Sequence, residues 1–312
     1  MFVAAIIIGT LLLTTLFISY YAYRQAFYAK AKNPTEYKLK LPEGEIYQKE
    51  YERAISFIKV LNEIEYEKIK IKAHDGKMLA ARYYHTADGA PIHIEFHGYR
   101  SRATTDFCGI NILVRDLGHN TILVDQRAHG ESEGKSISFG IKERLDCLDW
   151  INYAINRFGK DTKIILSGLS MGAATVLMAS ELDLPDNVVG IMADCPYSSP
   201  KEIIKQECEK MKLPADLAYP FVRLGAMIFG GFDPSSAAAK EAVTRSKVPI
   251  LIIHGEDDVF VPCRMSREII DACASDKTLV TIPLAGHGIS YITDRPLYER
   301  SVEEFLNKIL QK

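Results

Sequence analysis

The sequence predicts an α/β fold: a mostly parallel sheet covered by helices on both faces, with a short helical cap inserted between two of its strands. Three observations carry this. From residue 66 onward, short apolar runs alternate with helical patterns, as in repeated strand–helix–strand units. Residues 196–247 break that rhythm with helical segments and no strand. The composition, 47% hydrophobic and 25% charged over 312 residues, suits a chain with a sizeable core, in one large domain or two smaller ones.

In chain order, residues 1–23 form an apolar run in which no charge precedes Arg24. At about 1.5 Å per residue such a helix matches a hydrocarbon layer of roughly 30 Å. Tyr20, Tyr21 and Tyr23 stand where an interfacial aromatic belt would lie. A signal peptide would carry a basic start and a small-residue cleavage site close behind its apolar stretch. Here no basic residue precedes the run, and Ala29-Lys30-Ala31 lies beyond the tyrosines, so we expect an uncleaved transmembrane anchor. Residues 24–61 read as a polar linker to residue 44, then an amphipathic helix with Tyr47, Tyr51, Ile55 and Ile58 on one face. The α/β domain is expected over 62–312, with the cap at 196–247.

Strands are expected at 66–73, 78–84, 91–96, 121–124, 163–166, 188–193, 249–253 and 278–282. The first two, flanking His74-Asp75-Gly76-Lys77, form a hairpin that adds an antiparallel edge. Helices are expected near 105–117, 142–158, 171–181, 264–274 and 297–310. A balance of 38 basic against 40 acidic residues, net −2, argues against nucleic acid as a partner. Six irregularly spaced cysteines do not make a disulfide framework.

The segment 163–180 carries the chemistry. An apolar strand runs into Gly168-Leu169-Ser170-Met171-Gly172, and a helix of small residues follows at once. This is the strand–turn–helix context of a nucleophile elbow, which presents Ser170 at the sheet edge with a helix N-terminus behind it. A second G-x-S-x-G, Gly130 to Gly134 around Ser132, follows a polar stretch, starts no apolar helix and flanks its serine with glutamates. It is not expected to be a nucleophile. Gly134-Lys135-Ser136 is no phosphate loop either, because His129 stands where that motif needs glycine.

A serine needs a base, and the base an orienting acid. Downstream, 249–262 is a strand breaking into an acidic loop, and 278–290 is a strand followed by His287 between two glycines. The order serine, acid, histidine resembles the α/β-hydrolase superfamily, in its serine esterase, lipase and aminopeptidase-like branch. The resemblance covers about residues 66–310. His254-Gly255-Glu256-Asp257-Asp258-Val259-Phe260-Val261-Pro262 is similar to the family's H-G-x-x-D-x-x-V-P, which implies Asp258 as the acid, with Asp257 as its competitor. Ala285-Gly286-His287 resembles the family's G-H and implies His287 as the base. Phe96-His97-Gly98-Tyr99 resembles the H-G after the third strand, and the carry-over implies an oxyanion hole made by the backbone N–H groups of Tyr99 and Met171. The loop 125–130 resembles D-x-R-G-x-G, with Ala128 in place of the commoner glycine.

Other candidates carry plainer readings. His93, Glu95 and His97 alternate along one strand and would share a face, but no further ligand pair accompanies them, so neither a metal nor a cofactor is expected. Asp194 is a displaced acid or, more simply, a pocket-rim residue. Cys195 reads as a buried thiol, and His74, His85 and His119 as surface or turn residues. Residues 213–232 are either the apolar cover of an acyl pocket or a helix pair packed for stability.

The expectation is a membrane-anchored serine hydrolase acting on a small, apolar acyl substrate, a carboxylic ester first. The alternatives are a thioesterase or peptidase of the same fold, or a non-catalytic binding protein. Arg24, Lys30, Lys32, Lys38 and Lys40 follow the apolar run against Glu36 alone, which places the catalytic domain on the cytoplasmic side of a single-pass cell-membrane protein.

Overall fold

Strands β1 (Glu67–Lys72) and β2 (Met78–Tyr84) are joined through Gly76, whose φ of +86° suits a residue without a side chain. They pair antiparallel, and β2 also pairs antiparallel with β4 (Asn120–Asp125). All later pairings are parallel, through β3 (Ile92–Phe96), β5 (Ile164–Leu169), β6 (Val188–Asp194), β7 (Ile250–Gly255) and β8 (Lys277–Ile282). In this computed structural model, which describes residues 2–29 and 44–311, the sheet runs β1-β2-β4-β3-β5-β6-β7-β8. The expected mostly parallel sheet with an antiparallel edge is therefore present. Its central strands are buried along their whole length, as strands covered on both faces must be.

The helices are α1 (Phe2–Ala26), α2 (Glu45–Glu63), α3 (Ala103–Asp106), α4 (Cys108–Asp116), α5 (Glu143–Phe158), α6 (Met171–Ala179), α7 (Pro200–Lys210), α8 (Ala215–Gly225), α9 (Ala239–Ala242), α10 (Arg264–Ala272), α11 (Ser290–Thr293) and α12 (Arg295–Leu310). On one face, Trp150 and Ile151 of α5, Val176 and Leu177 of α6 and Met265 and Ile269 of α10 share a core with Ile94, Val124 and Ile252. On the other, Leu113 of α4, Val302 and Phe305 of α12 and Ile58 and Leu61 of α2 pack with Leu123, Ile165 and Leu251. Between β6 and β7, α8 continues as a π-helical turn (Ala226–Gly230), and α9 leads into a 3-10 turn; the described residues there contain no strand.

Helix α1 does not stop at Tyr23. It runs to Ala26, Phe27 is fully buried in the domain, and Tyr28 bridges to Ser136. The start of the expected linker is thus domain structure, and the rest of it, 30–43, lies outside the described residues. On α2 the buried stripe is Tyr47, Ala54, Ile58 and Leu61, while Tyr51 faces solvent.

Candidate active site

The turn from β5 into α6 is forced by close packing. A Cβ on Gly172 would overlap the Phe96 carbonyl of β3, and one on Gly168 would overlap Gly172 itself. The helix therefore starts hard against the strand, and Ser170 takes up the strain with φ +54° and ψ −111°. For a non-glycine residue that conformation costs of order 1–3 kcal/mol and persists only where its surroundings over-determine it. Here the Ser170 N–H donates to the Asp194 carbonyl at 2.8 Å, and the Ala174 N–H donates back to Ser170 O at 3.0 Å.

The three sequence-predicted groups converge on this turn. Ser170 Oγ lies 2.9 Å from His287 Nε2, and His287 Nδ1 lies 2.6 Å from Asp258 Oδ2. Asp258 Oδ1 accepts the N–H groups of Phe260 and Val261, each at 2.8 Å, so the loop after β7 folds around its own acid. Burial works to raise the Asp258 pKa, but hydrogen bonds from His254 and His287 outweigh it and hold the carboxyl well below the usual range. Asp257 is exposed and is not brought to His287. Ser132 is fully buried, and its Oγ is engaged by the Ala80 N–H at 2.8 Å and the Asp125 carbonyl at 2.5 Å.

The loop after β3 is braced from several sides. The Gly98 N–H donates to Asp106 Oδ2 at 2.6 Å, and the Arg100 N–H to His129 Nε2 at 3.0 Å. The amides on either side of Tyr99 are therefore both engaged. Met171 opens α6, where backbone N–H groups have no partner within the helix. His97 donates to Gly98 O through Nδ1 and accepts the Gln126 N–H through Nε2. Burial drops its pKa to about 4 and that of His129 to about 3, so both rings are neutral supports.

The remaining candidates have other partners. His93 is buried against His119, with 2.9 Å between ring nitrogens, and Glu95 accepts from Asn111 Nδ2 at 3.0 Å. His119, expected as a surface or turn residue, lies in the connection between α4 and β4 but is only 8% exposed, because its ring packs on His93. Asp194 accepts from Ser290 Oγ at 3.3 Å, and burial raises its pKa to about 6. Cys195 is buried beside Asp258 and His287, and burial pushes its thiol pKa well above the ordinary range. Those three could surround a cation, as could His74, Asp146 and Asp149. In both sets, however, the carboxylates already serve protein partners: Asp258 holds His287, Asp146 pairs with Arg127, and Asp149 pairs with His74.

Two supports were not visible in the sequence. Tyr47, from α2, accepts the backbone N–H of His287 at 2.7 Å, and a Cβ on Gly286 would collide with that phenol. Phe260 stacks on the His287 ring with centroids 5.7 Å apart. Tyr47 carries a signal only as one position of an apolar stripe; its polar partner lies 240 residues away.

A family model described as alpha/beta hydrolase fold matches residues 97–216, and one described as serine aminopeptidase, S33, matches 229–291. The chain has the alpha/beta hydrolase fold that the first of these models describes. It is similar to the Bacillus subtilis protein YqkD, 27% identical over 198 residues, covering 63% of this chain and 65% of the relative. It is also similar to the lysophosphatidylserine lipase ABHD12 of Danio rerio, 26% identical over 186 residues, covering 58% of this chain and 45% of that one. The matches thus span less than two thirds of either relative. Among solved structures, the Pyrococcus furiosus esterase Pf2001 superposes with a TM-score of 0.66 at 21% identity, covering 90% of this chain and 99% of that one. Est1E from Butyrivibrio proteoclasticus, with ferulic acid bound, gives 0.61 at 22%, covering 78% and 100%. At these identities the superpositions establish the fold.

Proposed function

We propose that the protein is a membrane-anchored serine hydrolase that cleaves carboxylic esters through an acyl-enzyme. The observation that carries this is the continuous relay from Ser170 Oγ through His287 to Asp258, at 2.9 and 2.6 Å. His287 takes the proton as Ser170 attacks the acyl carbonyl, while Asp258 keeps the imidazole in the correct tautomer and stabilises its charged form. The developing oxyanion falls to the N–H groups of Tyr99 and Met171. The alcohol leaves with the proton from His287, and water, activated by the same base, releases the acid. No cofactor enters this scheme. The domains follow the same reading: 1–23 as anchor, 24–61 as a connection whose first residues end α1 and dock on the domain before the linker and amphipathic helix, and 62–312 as the catalytic domain with its cap at 196–247.

The anchor reading rests on α1, long and apolar enough to cross a membrane and almost wholly exposed over residues 2–18. The basic residues after the run favour a cytoplasmic catalytic domain. Protease added to intact cells is then expected to spare the domain until lysis.

The test of the chemistry is turnover on a panel of esters, thioesters and aminoacyl amides of graded acyl length, with a fluorophosphonate adduct mapped by mass spectrometry. Ester turnover and an adduct on Ser170 are expected. Turnover confined to aminoacyl amides would convert the assignment to a peptidase. An adduct on any other residue would remove Ser170 from it.

A further inference from the structure

The apolar surface of α1 continues onto the cap. Helix α1 and the α8–π segment run side by side in the same direction. A Cβ on Gly225 would overlap the Ser19 carbonyl, the Phe229 ring lies 5.9 Å from that of Tyr23, and Phe232 lies 5.1 Å from Phe27. Going back along α8 from Gly225 therefore leads toward the apolar half of α1. The exposed side of this segment is apolar, with Met211, Leu213 and Leu217 before Gly225 and Met227 and Ile228 after it, Leu217 exposed by 66%. Two charges on it are paired, Asp216 with Lys205 at 2.6 Å and Arg223 with Asp233 at 2.7 Å.

The path reaches the catalytic groups at two points. From α7, Gln206 and Lys210 donate to the Phe260 carbonyl at 2.6 and 3.0 Å, and Phe260 stacks on His287. From the anchor, Ala26 and Gln25 accept hydrogen bonds from the Tyr99 hydroxyl and the Arg100 guanidinium, both at 2.7 Å. The end of α1 is thus fixed to the loop beside Ser170.

We infer that α8, the π turn and the α7–α8 turn seat in the same bilayer that α1 enters, so that the site opens at the membrane surface and takes an amphiphilic ester directly from the lipid. The inference rests on the anchor and esterase readings above. A span of hydrocarbon takes about 20 residues, and α1 has 25. The membrane therefore reaches the Ser19–Tyr23 turn, where α8 is already packed. A helix lying against that turn shares its depth. A contiguous exposed apolar patch of this kind is rare on a protein surrounded by water. Lys212, in the α7–α8 turn, has a stem long enough to carry its charge up to the headgroups.

The test uses the full chain in phosphatidylcholine vesicles and two probes, p-nitrophenyl acetate in water and a long-chain monoacylglycerol dissolved in the bilayer. Leu217→Asp and Met211→Asp are expected to leave the water-soluble ester unaffected and to slow the bilayer ester about tenfold each, the loss expected when one large apolar side chain no longer enters lipid. Equal rates on both probes in variant and parent would overturn the inference. Trp150 is the chain's single tryptophan and is fully buried, which provides a second readout independent of catalysis. Brominated lipids should quench the added emission of Leu217→Trp and leave that of the parent unchanged; unquenched emission would overturn the inference even if a charged variant fails to fold. If the parent hydrolyses neither probe, the esterase reading fails, while the quenching still decides where the cap sits.

Discussion

Ser170 and Ser132 occupy the same five-residue motif, and the fold uses them for opposite purposes. Ser170 stands at a strand-to-helix turn with a left-handed φ of +54°, and its Oγ faces an imidazole. Ser132 sits in a loop whose buried hydroxyl is tied to β2 through the Ala80 N–H and to the end of β4 through the Asp125 carbonyl. One hydroxyl meets an imidazole; the other is consumed in pinning a loop. The difference lies in what precedes and follows the motif. An apolar strand and a small-residue helix create the tight turn, whereas a polar loop creates a hydrogen-bond staple.

The sharpest way to break that contrast is to remove each hydroxyl. Ser170→Ala is expected to lower kcat by about a millionfold, as loss of a nucleophile does in a triad acting as a unit. Ser132→Ala should keep its turnover but lose about 1–3 kcal/mol of stability, because the buried Ala80 N–H is left without its acceptor. Kinetics and urea unfolding of both variants read this out. Activity lost in Ser132→Ala at undiminished stability would mean that the staple has a chemical role.

The same contrast separates the adjacent aspartates. Asp258→Asn is expected to cut kcat by about ten-thousandfold through the wrong imidazole tautomer. Asp257→Asn, altering an exposed side chain away from His287, should stay within a few-fold of the parent. A reversed pair of effects in steady-state assays would move the acid to Asp257.

A smaller effect is expected at Tyr47, which touches no reacting atom and positions His287 through its backbone. Tyr47→Phe removes the acceptor of the His287 N–H, a loss of about 1–1.5 kcal/mol and so close to tenfold in rate. The expected signature is a lower kcat with KM little changed, since the imidazole is displaced but the substrate surface is not. A change in KM alone would make Tyr47 part of the binding surface instead.

Most of the sheet was legible because buried strands announce themselves as short apolar runs, and the elbow because its glycines mark close packing. The sequence motif favoured Asp258 over Asp257, and the loop geometry agrees: its N–H groups wrap one carboxylate and leave the other outside. Three features were not legible, for one physical reason. Periodicity says which face of an element is apolar, not what lies opposite a polar atom. Tyr47 read as one more position of a stripe, and His119 as a surface or turn residue with no buried partner, because their partners His287 and His93 are distant in sequence. Tyr23 read as part of a membrane belt, yet it is buried on the domain, with its hydroxyl 2.7 Å from Ser136 Oγ. An aromatic at the end of an apolar helix serves lipid and protein packing equally well.

The last prediction concerns a buried polar side chain that looked functional in the sequence. Glu95 shares its strand with His93 and His97 but lies wholly inside the fold, with Oε2 on Asn111 and Oε1 lacking a partner. Such a site suits a protonated acid more than a carboxylate, and burial raises its pKa from 4.5 to about 8. Between those two values the unfolded chain has released this proton while the fold retains it, so stability falls as pH rises. The depressed histidines His93, His97, His119 and His129 work the other way, and because an unfolded ring is still half protonated at pH 6.5 they go on adding stability up to about pH 8 in parent and variant alike. From pH 6.5 to 8 the parent is therefore expected to lose about 2 kcal/mol relative to a chain without the Glu95 proton. Glu95→Gln keeps the shape and carries no proton to lose. Urea unfolding of the two proteins at both pH values should show the parent losing about 2 kcal/mol against the variant. Parallel slopes would mean that Glu95 is ionised within the fold, and the core would then have to hold a charge with only Asn111 donating to it.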